Sequence, residues 1–227
     1  MPRRPRLATA GLVYHVLNRR VARLPLFDID RDYAAFERTL EEAIKRTGIR
    51  LTAYCVMPNH WHLLLWPRTD DELSETLRWL TVTHTQRWHA AHRTAGHGPL
   101  YQGRFKSFPV QNDEHFLTVA RYVERNALRA HLVRRAENWR WGSLWRQYQG
   151  DAKGKALLSD WPVARPRHWL GHVNRPETPQ ELEALRKSVQ RGCPFGSESW
   201  QTRTAKRLSL ESTLRPRGRP RKEDDEL

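Results

Sequence analysis

Cysteine is nearly absent from this sequence: Cys55 and Cys193 are the only two in 227 residues. Two thiols so far apart make neither a zinc knuckle nor a disulfide framework, so oxidative stapling is excluded and a reducing compartment is expected. Long apolar runs are missing too. Mean hydropathy is −0.81 and no stretch approaches the roughly 20 apolar residues a bilayer span needs, so no membrane association is expected. The basic start Met1-Pro-Arg-Arg-Pro-Arg6 does not read as an export signal, because Ala8-Thr9-Ala10 precedes the apolar stretch Leu12 to Leu17 and His15 interrupts it. Negative charge is scarce: 25 Asp and Glu face 40 Lys and Arg, for a formal net charge of +15. A polyanionic partner is the expectation. No glycine-rich phosphate-cradling loop of the Walker type is present.

What the chain does have is tryptophan, ten residues of it. Aromatic faces among basic groups suit the stacking of single-stranded bases, and they serve equally well as core anchors. The length fits one full domain with a sizeable appendage.

Hydrophobic periodicity organises the first two thirds. Leu12 to Asn18 is rich in strand formers, and Tyr33, Phe36, Leu40, Ala43 and Ile44 then recur at helical spacing up to Gly48, a helix stop. Ile49 to Met57 alternates again and resumes after Pro58-Asn59 as His60 to Trp66, which predicts a tight antiparallel hairpin. A second helix is predicted over 71–92, a loop over 96–103, a strand over 104–110, and a third helix from Asn112 or Asp113 to about Ala130. The order β-α-β-β-α-β-α suggests an α+β fold, a ferredoxin-like antiparallel sheet with helices packed on it. Beyond Val133 the Trp, Arg, Pro and Gly content predicts an irregular wrapping segment. Thr178-Pro179-Gln180-Glu181 then signals a capped helix, and a shorter helix is expected over 197–208. The division expected is a domain over 1–148, a connector and helical extension over 149–212, and a disordered basic and acidic tail over 213–227.

On a strand, His60 and His62 project from one face while Trp61, Leu63 and Leu65 occupy the other. Two imidazoles about 7 Å apart along a strand can converge on one cation. A fortuitous pair is the other reading, against which stands the cost of desolvating two imidazoles without partners. In the third helix Phe116, Val119, Ala120, Val123 and Ala127 share the face that should pack on the sheet. Arg121, Arg125 and Arg129 form a stripe at i, i+4 spacing on the opposite flank. Tyr122 and Asn126 fall between the two, where a phenol and an amide could face both the histidines and a phosphate backbone. Alternatively, Tyr122 is a boundary residue with its hydroxyl in water.

Three blocks, Met57-Pro-Asn-His-Trp-His-Leu-Leu-Leu65, Tyr101-Gln-Gly-Arg-Phe105 and Tyr122-Val-Glu-Arg-Asn-Ala-Leu-Arg-Ala130, resemble the signature blocks of the single-tyrosine HUH transposases. More closely they resemble the REP-associated tyrosine transposases of bacteria. The similarity covers residues 7–148, including Trp-x-Trp-Gly-Ser at 139–143. The resemblance implies that His60 and His62 are a metal-binding pair, that Tyr122 is the nucleophile, and that Asn126 is a third metal-binding side chain. It departs at Ala127, where the family commonly has proline, so this helix should run on further.

The implied activity is transposition of single-stranded DNA carrying a hairpin, by cleavage and rejoining through a 5′-phosphotyrosine. Two imidazoles, an amide oxygen and phosphate oxygens suit Mg²⁺ or Mn²⁺. Candidate backbone contacts are Arg104, Lys106, Arg121, Arg125 and Arg129, with the N-terminal Arg3, Arg4, Arg6, Arg19 and Arg20. In the tail, Pro216-Arg217-Gly218-Arg219-Pro220 resembles an AT-hook for the minor groove of an A/T-rich duplex, and a solubilising basic tail reads almost as well. The expected setting is the bacterial cytoplasm at the nucleoid, as a monomer or homodimer. Two other functions fit the same residues: a non-catalytic nucleic-acid-binding regulator, and a metal hydrolase with water as nucleophile.

Overall fold

The computed structural model describes residues 8–215. Four strands, β1 (Val13–Arg19), β2 (Arg50–Met57), β3 (His60–Trp66) and β4 (Lys106–Val110), form one antiparallel sheet in the order β2-β3-β1-β4. Helix α1 (Asp30–Thr47) connects β1 to β2, and α2 (Glu72–His92) connects β3 to β4. This is the α+β ferredoxin-like arrangement that the alternation of periods predicts. Pro58-Asn59 closes the β2–β3 hairpin and pairs Met57 with His60. Gly48 stops α1 in the left-handed conformation at φ 79°, which glycine adopts without a Cβ clash.

The alternation of side chains along the strands sorts two cores. Tyr14, Val16, Tyr54, Val56, Trp61 and Leu63 pack under α1 and α2. Val13, Ala53, Cys55, Leu64 and Phe108 pack against α3 (Glu114–Glu124), whose Phe116, Val119, Ala120 and Val123 are fully buried. Asp113 caps α3 by accepting the His115 amide at 2.9 Å. The predicted third helix is continuous in its coiling but divided: Arg125 turns at φ −84°, and α4 (Asn126–Arg129) follows, its last amide bonding the Arg125 carbonyl at 2.9 Å. With alanine at 127 nothing removes a helical amide, and the chain coils on to Arg129.

The rest of the chain is less irregular than its composition suggests. It forms α5 (Ser143–Gln149), α6 (Ala152–Lys155), α7 (Trp169–Asn174), α8 (Pro179–Arg191), α9 (Glu198–Arg207) and α10 (Glu211–Leu214). The short helices carry no periodic signal long enough to read, whereas the capping box at Thr178 and Glu181 is formed as predicted. These segments cover both edges of the sheet, which unpaired would invite strand addition. The Val56 amide donates to the Trp141 carbonyl at 2.8 Å, and the Trp139 indole to the Val56 carbonyl at 2.9 Å. On the other edge Phe195 bonds Pro109 and Gln111 through its backbone.

Candidate active site

The β3 register with β1 sets Leu17 opposite His62 and Arg19 opposite His60, on the face that α3 covers. There the two rings lie 4.9 Å apart between centroids. Tyr122, from the last turn of α3, stands edge-on to His62 at 5.8 Å. The three side chains that the sequence singles out are therefore neighbours. Asn126 lies one turn further on, buried, and among the described residues its side-chain amide makes no hydrogen bond.

A third imidazole joins them. His15 of β1 is 1% exposed, its Nε2 is 2.8 Å from Nδ1 of His62, and its ring packs on Phe108 at 4.8 Å and on Tyr122 at 6.1 Å. The sequence reading missed it, although the signal was present: a histidine inside Val-Tyr-His-Val-Leu is as costly to bury unpartnered as the two on β3. Burial dominates the titration of all three. Desolvation holds His15 and His60 down to about 3 and His62 well below its ordinary value, with the neighbouring imidazoles and Arg129 and Arg19 adding smaller downward pushes. Neutral imidazoles keep a lone pair, which a metal ligand requires.

The orientation of His60 is also defined. His60 Nδ1 is 2.6 Å from the side-chain oxygen of Asn59, whose amide nitrogen donates to the Arg23 carbonyl at 3.2 Å. An amide oxygen only accepts, so His60 carries its proton on Nδ1 and presents the Nε2 lone pair. The donor set, two neutral ring nitrogens with a free amide one turn from the phenol, fits a divalent ion of mixed N/O preference. Among the described residues, the grouping of three His, Cys or carboxylate side chains whose ligand atoms lie close enough to share a cation is Asp113, Glu114 and His115, at the start of α3 with Glu114 exposed.

The arginine stripe differs from the expectation of an open basic surface. Arg121 pairs with Glu181 at 2.6 Å and is 5% exposed. Arg125 and Arg129 share Glu177, at 3.1 and 2.9 Å, and Arg125 also donates to the carbonyls of Val173 and Asn174. The pairing has a physical reason: α7, α8 and the turn between them bring two carboxylates onto the stripe, and burying guanidinium groups requires such counter-charges. Arg129 additionally lies 4.1 Å over the Tyr122 ring. Arg104 and Lys106 are exposed and line a cleft with Arg19, Arg23 and Gln102, closed on one side by Val189 of α8. Arg217 and Arg219 lie outside the described residues.

Two buried networks hold this geometry. The carboxylate of Glu124, in the last turn of α3, accepts from Ser143 at 2.8 Å and Trp169 at 2.7 Å, and burial pushes its pKa up. On the opposite sheet face the Tyr101 hydroxyl accepts from the Trp61 indole at 3.0 Å and meets His84 at 2.7 Å, so the Tyr-Gln-Gly-Arg block anchors the strand between the two histidines.

No curated protein matches the sequence. A structure described as the REP-associated tyrosine transposase bound to a REP hairpin superposes with a TM-score of 0.53 at 18% identity, over 70% of this chain and 88% of that one. A crystal structure of a candidate transposase from Deinococcus radiodurans R1 aligns over 58% of this chain and 95% of that one, at 20% identity and a TM-score of 0.40. The family model for IS200-like transposases matches residues 8–126, and on that match the chain belongs to the IS200-like transposase family and is a transposase enzyme.

Proposed function

We propose that the protein is a transposase of the REP-associated type, which cuts and rejoins single-stranded DNA carrying a hairpin through a covalent link to Tyr122. The observation that carries the reading is the meeting of a phenol from α3 with two neutral imidazoles from β3, the Tyr122 and His62 rings 5.8 Å apart. The phenolic oxygen attacks the scissile phosphorus as its proton leaves. The P–O3′ bond breaks, the 5′ phosphate stays on Tyr122, and the departing O3′ takes up a proton as a free hydroxyl. Because the phosphotyrosine keeps the bond energy, a 3′ hydroxyl can attack it and rejoin the strand without ATP. Nε2 of His60, Nε2 of His62 and the Asn126 amide oxygen would hold Mg²⁺ or Mn²⁺, which when bound supplies charge relief to the non-bridging and leaving oxygens. Arg104, Lys106 and Arg19 of the cleft take the backbone of the strand, and Arg129 flanks the phenol. The Arg217 and Arg219 tail is assigned to an A/T-rich duplex.

The test is incubation of the protein with end-labelled single-stranded hairpin DNA and Mg²⁺ or Mn²⁺, followed by denaturing electrophoresis. A covalent adduct is expected, absent from the Tyr122→Phe protein. Cleavage without an adduct would instead identify a hydrolase, and binding without cleavage a regulator.

A further inference from the structure

The sheet brings His15 of β1 against His62, although no step above employs it. We propose that His15 is a positioning residue for the metal-binding site: its Nε2 accepts a hydrogen bond from His62 Nδ1–H, leaving the lone pair of His62 Nε2 for the cation. The inference rests on the proposed role of His62.

A neutral imidazole has one N–H and one lone pair, so the 2.8 Å contact between His15 Nε2 and His62 Nδ1 is made by one donor and one acceptor. If His15 donated, the His62 proton would sit on Nε2 and that nitrogen could not ligate. If His15 accepts, Nε2 is open. His60 shows the same device with a different partner, since the Asn59 oxygen can only accept from Nδ1. Both ligands are thus turned to present Nε2, one held by an amide and the other by an imidazole. Burial makes the His15 contact exclusive: the residue is 1% exposed and wedged between Phe108 and Tyr122, so no bulk water competes for His62 Nδ1. A purely space-filling role at the middle of β1 would be met as well by phenylalanine, without the cost of burying a polar ring.

The experiment titrates Mn²⁺ into the full-length protein without DNA, following the free ion by electron paramagnetic resonance. His15→Phe keeps the ring but removes the acceptor, whereas His15→Gln keeps an acceptor oxygen at about the reach of Nε2. Partners of this kind commonly change metal affinity by about 10–100-fold. We expect that loss for His15→Phe, recovery of most of it by His15→Gln, and unchanged hairpin binding in EDTA. Wild-type affinity in His15→Phe beside a loss in His62→Ala overturns the inference alone, as does a Gln variant no better than Phe. Wild-type affinity in His62→Ala overturns the metal-site reading itself. Should His15→Phe not fold, ¹⁵N long-range spectra of histidine-labelled wild-type protein with Mg²⁺ decide instead: Nδ1-protonated His62 is expected, and Nε2-protonated His62 refutes the proposal.

Discussion

Glu177 is one of the residues by which the C-terminal extension holds the tyrosine helix. Its side chain is 2% exposed and receives Arg125 at 3.1 Å and Arg129 at 2.9 Å. Glu177→Ala would leave two guanidinium groups, 12% and 24% exposed, without their counter-charge. Breaking a buried pair by removing one partner costs about 3–5 kcal/mol. Two features bring this case to the lower end. Arg125 keeps its bonds to the carbonyls of Val173 and Asn174, at 3.1 and 2.7 Å, and Arg129 lies close enough to the surface to turn toward water. The expected loss is therefore about 3 kcal/mol. Replacing Arg125 and Arg129 by Met in the same protein removes the stranded charges and should recover about half of it, because apolar substitutes for an ion pair are often near neutral. Urea unfolding followed by tryptophan fluorescence and circular dichroism measures both values. A Glu177→Ala loss under about 1 kcal/mol, or a triple variant less stable than the single one, would refute the reasoning.

Three further outcomes follow from the same geometry. Burial holds His84 at about 3, so it stays neutral in the folded protein while an unfolded histidine protonates below about 6.5. Stability is accordingly flat above that pH and falls below it, by about 2 kcal/mol for this residue at pH 5, and His84→Asn should flatten the drop between pH 7 and 5 by that amount; an unchanged slope contradicts it. Arg104→Ala and Lys106→Ala should each weaken hairpin binding and reduce the slope of log K against log salt by about 0.7, as loss of one single-strand phosphate contact does, and an unaltered slope removes either from the interface. Arg217→Ala with Arg219→Ala should abolish any preference for A·T duplex in gel-shift competition while leaving hairpin cleavage intact; retained preference dismisses the tail as its source.

The elements that could be read from the sequence are those whose cause is local. Pro58-Asn59 dictates a hairpin by backbone chemistry alone, Gly48 and Thr178 mark helix ends, and the alternation along β3 sorts His60 and His62 from Trp61. The His and Tyr residues were found because each breaks its local pattern or completes a spaced block. What stayed hidden depends on residues distant in the chain. Arg125 is read as a surface charge until Glu177, 52 residues later, is seen to cover it. His15 has no meaning until the β1–β3 pairing sets it beside His62, 47 residues away. Helices α5 to α7 are too short to carry a period, and tertiary packing specifies them.

The central claim is spatial: the phenol of Tyr122 and the Nε2 atoms of His60 and His62 act on one phosphate. The most direct measurement is a crystal structure of the Tyr122→Phe protein with uncleaved hairpin DNA and Mn²⁺, using the anomalous signal of the metal. The account predicts a peak bonded to both Nε2 atoms and to an oxygen of the scissile phosphate, with the ring at position 122 facing the phosphorus opposite the departing 3′ oxygen. A peak at Asp113, Glu114 and His115 instead, or a scissile phosphate out of reach of that ring, would contradict it.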